Sequence, residues 1–341
     1  MIMSTQKPVV VIPNLNGGDD LLGAIESLTK QTLEPYIIVV DNASTDGSAD
    51  TALAKFPDIE LIRHATNRGY AGGVNPGLRR AIELGTQYVA AFNDDAIADE
   101  HWLEKLVRFL NTHSEYGAVA CKVLHTDGKT LDSTGDYLTN WGLPYPRGRG
   151  EVDTSQYDAQ TDIFAASGAA SLYRVDALKR VGLFDEDFFA YYEDVDLSFR
   201  MQLAGWKVGY APDSRAYHKI GMTSGRMKGF TTLQTLKNEP LLIWKNVPRR
   251  YLLHVWPRFY LAYVLFFGRA LTRGHVWPAI KGVGMAKWLI LKKIPERRHI
   301  QKTRTVSDAY IWSLIIKDLP PNAHALRSIR TKWRKLIGKQ Q

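Results

Sequence analysis

Several short segments of the 341-residue chain carry side chains that could do chemistry. Asn93-Asp94-Asp95 follows the apolar run Tyr88–Phe92. Adjacent carboxylates at a strand end make a hard, oxygen-rich site suited to Mg²⁺ or Mn²⁺ beside a substrate diphosphate. The same carboxylates could instead cap a helix beginning near Asp99. Tyr191-Tyr192-Glu193-Asp194-Val195-Asp196 places three carboxylates within four residues. On a helix, Asp196 and Arg200 lie four apart and can pair. That leaves Glu193 and Asp194 at the helix start. A carboxylate partly desolvated by Tyr191 and Tyr192 has a raised pKa and can act as a general base. The competing reading is an acidic first turn favoured by the helix dipole. His218, after the apolar stretch Trp206–Ala211, can complete a metal site, although a lone histidine is more often structural. The glycine-rich run Asn67-Arg68-Gly69-Tyr70-Ala71-Gly72-Gly73 lets backbone approach a phosphate at a helix start, or is a plain loop. Ala166-Ser167-Gly168-Ala169-Ala170 leaves room for a sugar or an acceptor, or packs as a tight strand turn.

These segments need elements to position them. Short β-branched runs at Val9–Ile12, Tyr36–Val40, Ile59–Arg63 and Tyr88–Phe92 predict strands. Helical spacing predicts helices over Asp19–Lys30, Ser48–Phe56 and Gly73–Leu84. This alternation implies an α/β fold with a mostly parallel sheet and covering helices. In such sheets chemistry gathers beyond the carboxyl ends of the strands, where Asp41, Asn67-Arg68-Gly69 and Asp94-Asp95 fall. A dinucleotide-binding G-x-G-x-x-G after the first strand and a P-loop are both missing. Thr126–Asp162, rich in Gly, Asp, Pro and Tyr, reads as irregular or short-stranded structure.

The composition splits the chain. Residues 1–236 hold 22 basic and 31 acidic side chains, net −9. Residues 237–341 hold 22 basic and 4 acidic side chains, net +18, and six of the nine tryptophans. The single cysteine, Cys121, excludes an internal disulfide framework. No signal-peptide core or membrane span is expected, since the longest uncharged apolar run of the tail is Phe259–Gly268.

Taken in order, the motifs resemble those of family 2 glycosyltransferases. The resemblance rests on Val39-Val40-Asp41-Asn42-Ala43-Ser44-Thr45-Asp46-Gly47, on Asn67–Gly73, on Phe92-Asn93-Asp94-Asp95, and above all on Gly182–Leu197 with its Tyr192-Glu193-Asp194-Val195-Asp196 centre. It covers roughly residues 8–225, and the tail is similar to the bacterial rhamnosyltransferase branch. It implies a GT-A fold, with a mixed, mostly parallel sheet over residues 1–236, and an inverting sugar transfer from a nucleotide-diphosphate sugar. It also implies Asp194 as catalytic base with Glu193 beside it. Asp95 and His218 become ligands of a divalent cation. Pro13, Asn14, Asp41, Asn67, Arg68, Gly69, Gly72, Asn93 and Asp94 become donor contacts, with Asp41 on the base. Ser167, Gly168 and Tyr192 become acceptor contacts. Pro13-Asn14 and Pro76 depart from the family pattern.

Residues 237–341 read as basic amphipathic helices, broken by Pro248, Pro257, Pro278 and Pro295, that associate with an anionic membrane surface. A homo-oligomer interface is the second reading, and nucleic acid is disfavoured because no binding motif is present. The expectation is therefore a cytoplasmic enzyme, peripheral on the inner face of a bacterial plasma membrane. It would move a sugar such as rhamnose to a lipid-linked glycan acceptor in cell-surface polysaccharide synthesis. Rival readings are a nucleotidyltransferase and a non-catalytic sugar-nucleotide or polymer-binding subunit. Against the former, Asn14–Asp20 is acidic where a basic triphosphate loop is expected.

Overall fold

A computed structural model describes residues 7–219, 228–321, 323, 326–328 and 330. The N-terminal half alternates as the hydrophobic periodicity predicts: β1 (Val9–Asn14), α1 (Gly18–Thr29), β2 (Tyr36–Asp41), α2 (Ser48–Lys55), β3 (Glu60–Arg63), α3 (Gly69–Glu83) and β4 (Tyr88–Phe92). Then come β5 (Ala96–Ala98), α4 (Trp102–Thr112), β6 (Tyr116–His125), β7 (Leu131–Ser133), β8 (Asp136–Leu138), β9 (Pro144–Pro146), β10 (Asp162–Ile163), β11 (Ala170–Arg174), α5 (Val175–Val181), α6 (Glu193–Leu203) and β12 (Lys207–His218). The tail forms α7 (Phe230–Asn246), α8 (Arg249–Thr272), α9 (Val276–Lys292), α10 (Ile294–Thr303) and α11 (Asp308–Leu314).

The main sheet runs β10-β12-β6-β11-β4-β1-β2-β3. β4, β1, β2 and β3 are parallel, while β11 runs antiparallel between β4 and β6. Strand alternation sends successive side chains to opposite faces. Val10, Ile12, Val39 and Phe92 pack under α1 and α4. Val9, Val11, Ile38 and Ala91 pack under α3, α5 and α6. A third cluster joins Phe188, Val195 and Phe199 to Leu241, Leu242, Val255 and Phe259 of the tail.

Four details differ from the sequence expectations. α3 begins at Gly69, four residues early, so Gly72 and Gly73 are helical. Its glycines serve close packing: a Cβ on Gly77 would sit 2.3 Å from Val11 Cγ1. Pro76 stays inside the helix, because the Gly72 carbonyl it leaves without an amide meets His64 Nε2 at 3.2 Å. Second, β5 separates Asn93-Asp94-Asp95 from α4, so Asp94 and Asp95 cap no helix. Third, α8 runs 24 residues straight through Pro257. The tail helices are thus longer than its prolines suggest. α7 likewise tolerates Pro240, and the freed Leu236 carbonyl accepts the Tyr263 hydroxyl at 2.7 Å.

Fourth, the charge boundary at Leu236 falls in the middle of α7. The residues just beyond it are buried against the acidic segment 185–196. Lys245 Nζ lies 2.6 Å from Asp185, 2.9 Å from Asp196 and 2.7 Å from Glu296. Asn246 donates to the other Asp196 oxygen at 2.7 Å, and Arg200 Nε donates to Asp196 at 2.9 Å. Burial opposes ionisation of Asp196, but Lys245 and Arg200 hold its pKa below the ordinary carboxylate value. Division at 236 is therefore compositional, not a break in packing. Asp196→Ala should strand two buried cations and cost about 3–5 kcal/mol in a urea unfolding titration. A loss below 1 kcal/mol would remove this ion cluster as a support.

Candidate active site

The loops after β1, β2 and β3 are tied by side-chain amides. Asn14 accepts from Gly17 N at 3.1 Å and donates to Ser44 and Ser48 Oγ at 3.0 Å each. Asn42 donates to Asn67 Oδ1 and the Gly69 carbonyl, and accepts from Arg68 N at 2.9 Å. Three loops are thereby fixed around one cleft. Beyond β4, Asp94 accepts from Leu15 N at 3.2 Å. Burial, with Asp95 beside it, pushes the Asp94 pKa up to about 7.

His218, the last residue of β12, faces both ways. Its Nε2 meets Asp95 Oδ1 at 3.0 Å and its Nδ1 meets Asp132 Oδ2 at 2.9 Å. Burial would lower its pKa, but the bonds to Asp132 and Asp95 outweigh it and raise it to about 9. Asp132 also contacts Arg149 Nη2 at 2.8 Å.

The acidic helix start is presented by strained backbone. Phe189, Tyr191 and Tyr192 all have left-handed φ, of 64°, 71° and 69°. Their turn is held from below: Asn238 Nδ2 lies 2.8–2.9 Å from the carbonyls of Phe188, Ala190 and Tyr191, and Lys237 donates to those of Asp187 and Phe188. Gly69 must be glycine here, since its φ is +68° and a Cβ would lie 2.2 Å from the Phe189 carbonyl oxygen. Asp194 accepts from Gly168 N at 2.9 Å and from Val195 N at 2.8 Å. Burial raises its pKa, while these amides favour the anion. Glu193 and Asp136 are each pushed to about 8, by burial and by the charge of Asp194. The Gly168 and Val195 amides are thus the groups that support Asp194 as an anion.

One cavity of about 570 Å³ joins these parts. It is lined by Pro13, Asn14, Asn67, Gly69, Asn93, Asp94, Asp95, Ser167, Gly168, Tyr192, Glu193, Asp194 and His218 among the residues singled out from sequence. Asp41, Arg68 and Gly72 lie outside the lining. Asp41 is buried, accepts from Ser44 N at 3.0 Å and faces Arg63 Nη1 at 3.5 Å. Asp132, Asp136 and Arg149 line the cavity without having been singled out. Their only sequence signal was their place in the long irregular stretch 126–162.

The model of "Glycosyl transferase family 2" matches residues 9–182. The chain belongs to this family. This glycosyltransferase is 28% identical over 244 residues to N-acetylglucosaminyl-diphospho-decaprenol L-rhamnosyltransferase of Mycobacterium tuberculosis, covering 66% of the chain and 79% of the relative. It is 26% identical to the dTDP-rhamnosyl transferase RfbF of Shigella flexneri, covering 57% and 63%. Among solved structures it resembles mannosyltransferase PcManGT from Pyrobaculum calidifontis in complex with GDP-Man and Mn²⁺, with TM-score 0.52, 17% identity, and coverage of 91% and 86%. The fold is GT-A.

The residues present fit a divalent cation. Asp95 Oδ1 and, once its proton is lost, His218 Nε2 would offer an oxygen and a nitrogen 3.0 Å apart, and Asn93 Oδ1 is buried without a partner among the described residues. Among the described residues no group of three or more His, Cys, Asp or Glu forms a full cage. Two protein ligands suit a Mg²⁺-type ion that takes its remaining ligands from phosphate and water.

Glu193 sets a pH test. Its folded pKa, about 8, lies above the ordinary 4.5, so the folded state holds a proton that the unfolded state has lost. Stability attributable to Glu193 is complete below pH 4.5 and falls as pH rises towards 8. Glu193→Gln should gain on the parent by about 1.4 kcal/mol per pH unit across that window in denaturant titrations. Parallel stability curves would refute buried, protonated Glu193.

Proposed function

We propose that this glycosyltransferase transfers a sugar, with inversion, from a nucleotide-diphosphate sugar to a hydroxyl of a lipid-linked glycan. The observation that carries this reading is that Asp194 and the Asp95–His218 pair line one cavity. Asp194 removes the acceptor proton. The freed oxygen attacks the anomeric carbon from the face opposite the diphosphate. The bond to the diphosphate breaks in the same step, and no covalent enzyme intermediate forms. A divalent cation, Mg²⁺ or Mn²⁺, held by Asp95 and His218 would stabilise the charge on the leaving diphosphate.

Donor contacts come from Pro13, Asn14, Asn67, Gly69, Asn93 and Asp94. Asp41 would meet the base only after Arg63 yields. Ser167, Gly168 and Tyr192 bound the acceptor side. Rhamnose is the sugar favoured by the two relatives' names, and a polyprenyl diphosphate carrier by the first.

The tail supports work at a membrane surface. No helix of the described residues is long and apolar enough to cross a membrane. Yet Leu253, Tyr260, Trp277, Trp288 and Leu291 are 60–83% exposed along α8 and α9, spaced 7 residues apart on α8 and 11 and 3 apart on α9, which returns them to one side of each helix. Arg249, Arg250, Arg258, Arg269, Arg273, Lys281 and Lys287 flank them. This combination suits an anionic bilayer on the cytoplasmic side.

Asp194→Asn should lower kcat by about 10²–10⁴-fold and leave nucleoside diphosphate binding intact. Turnover within a few-fold of the parent would rule out Asp194 as base. Trp277→Ser with Trp288→Ser should weaken co-sedimentation with anionic vesicles several-fold without changing turnover on a water-soluble acceptor. Unchanged sedimentation would remove the docking role of this face.

A further inference from the structure

We propose that Arg149 binds the diphosphate of the lipid-linked acceptor; this rests on the acceptor class proposed above. The cavity wall carries Asp94, Asp95, Asp132, Asp136, Glu193 and Asp194, yet among the described residues Arg149 is its only lysine or arginine. A diphosphate entering such a wall needs a cation.

The chain builds Arg149 into place. Arg147, two residues before, is buried with its guanidinium over the rings of Tyr137, Tyr157 and Tyr210, at 5.4, 5.1 and 4.9 Å. It also donates to Thr134, Tyr137 and Gln160. Gly148 and Gly150 take φ of +80° and +82° on either side of Arg149. Backbone bonds from Gly150 N to the Leu131 carbonyl and from Thr134 N to the Arg147 carbonyl lock this turn to the segment carrying Asp132 and Asp136. One arginine is the anchor and the next is the presented group. Its side chain is 52% exposed. Nε donates to the Asp132 carbonyl at 3.2 Å, Nη2 approaches Asp132 Oδ1, and among the described residues Nη1 carries no hydrogen bond. A guanidinium fork with a free edge fits phosphate oxygens.

Position selects the acceptor over the donor. The donor diphosphate belongs at Asp95 and His218. Asp132 stands between that pair and Arg149, bonding His218 with one oxygen and facing Arg149 with the other. Asp136 and Asp194, the proposed base, line the same cavity and feel the Arg149 charge. A diphosphate held there would leave the first sugar of the carrier beside Asp194.

Isothermal titration of the full chain tests this with three probes: farnesyl diphosphate, farnesol, and UDP or dTDP with Mn²⁺. The parent should bind farnesyl diphosphate more tightly than farnesol. Arg149→Ala should weaken farnesyl diphosphate at least tenfold and leave farnesol and the nucleoside diphosphate within threefold. Arg149→Lys, which keeps the charge but loses the fork, should fall between and serves if the alanine variant does not fold. Equal farnesyl diphosphate affinity in parent and variants would overturn the proposal. So would a loss confined to the nucleoside diphosphate, which would move the guanidinium to the donor. If the parent binds farnesyl diphosphate no better than farnesol while still binding nucleoside diphosphate, the diphospholipid acceptor falls and sugar transfer from a nucleotide donor stands.

Discussion

Asp196 is fully buried, and its charge is met by Lys245, Arg200 and Asn246. The rest of the site depends on that ion cluster. Removing a carboxylate from water costs several kcal/mol, and only cations with complete hydrogen bonding offset it. The cations come from two sources. Arg200 is one turn along the same helix, and Lys245 comes from the tail. Their pairing fixes α7 against α6. Once α7 is fixed, Asn238 and Lys237 reach the carbonyls of the left-handed turn 187–192. That turn delivers Glu193 and Asp194 to the cavity. Strained backbone persists only where its surroundings over-determine it, and here the surroundings are the first helix of the basic region.

This alters the meaning of the charge split. An acidic body and a basic tail suggest two parts with separate tasks. In the folded chain, Lys245, Lys292 and Lys293 pair with Asp185, Asp187, Asp196 and Glu296. Part of the positive excess therefore completes the catalytic body. Under the proposed docking, the cations that would face a bilayer include those on α8 and Lys281 and Lys287 of α9. Tail and catalytic centre pack as one piece, so a carrier lipid bound there and the proposed base would share a frame.

The sheet was legible because parallel strands buried on both faces are short β-branched runs, and Val9, Tyr36 and Tyr88 open such runs with few rivals. The carboxylates were legible because they fall at strand and helix ends, where side chains converge in this architecture. Three features escaped. The start of α3 hid in glycines that look like a loop and in fact permit contact with Val11 and Phe189. The buried lysines of α7 were counted with the basic, membrane-associating tail because nothing local marks a lysine as the partner of a carboxylate 49 residues away. Asp132, Asp136 and Arg149 sit in a stretch without period, where only tertiary contact shows which side chains point inward.

With Asp194 as base and diphosphate as leaving group, the proposed transfer is a direct displacement. The most direct measurement is the anomeric configuration of the first product formed, followed by proton NMR from a donor of known configuration. Direct displacement gives inversion at the anomeric carbon. Retention would require a second displacement or a front-face mechanism, and would contradict it.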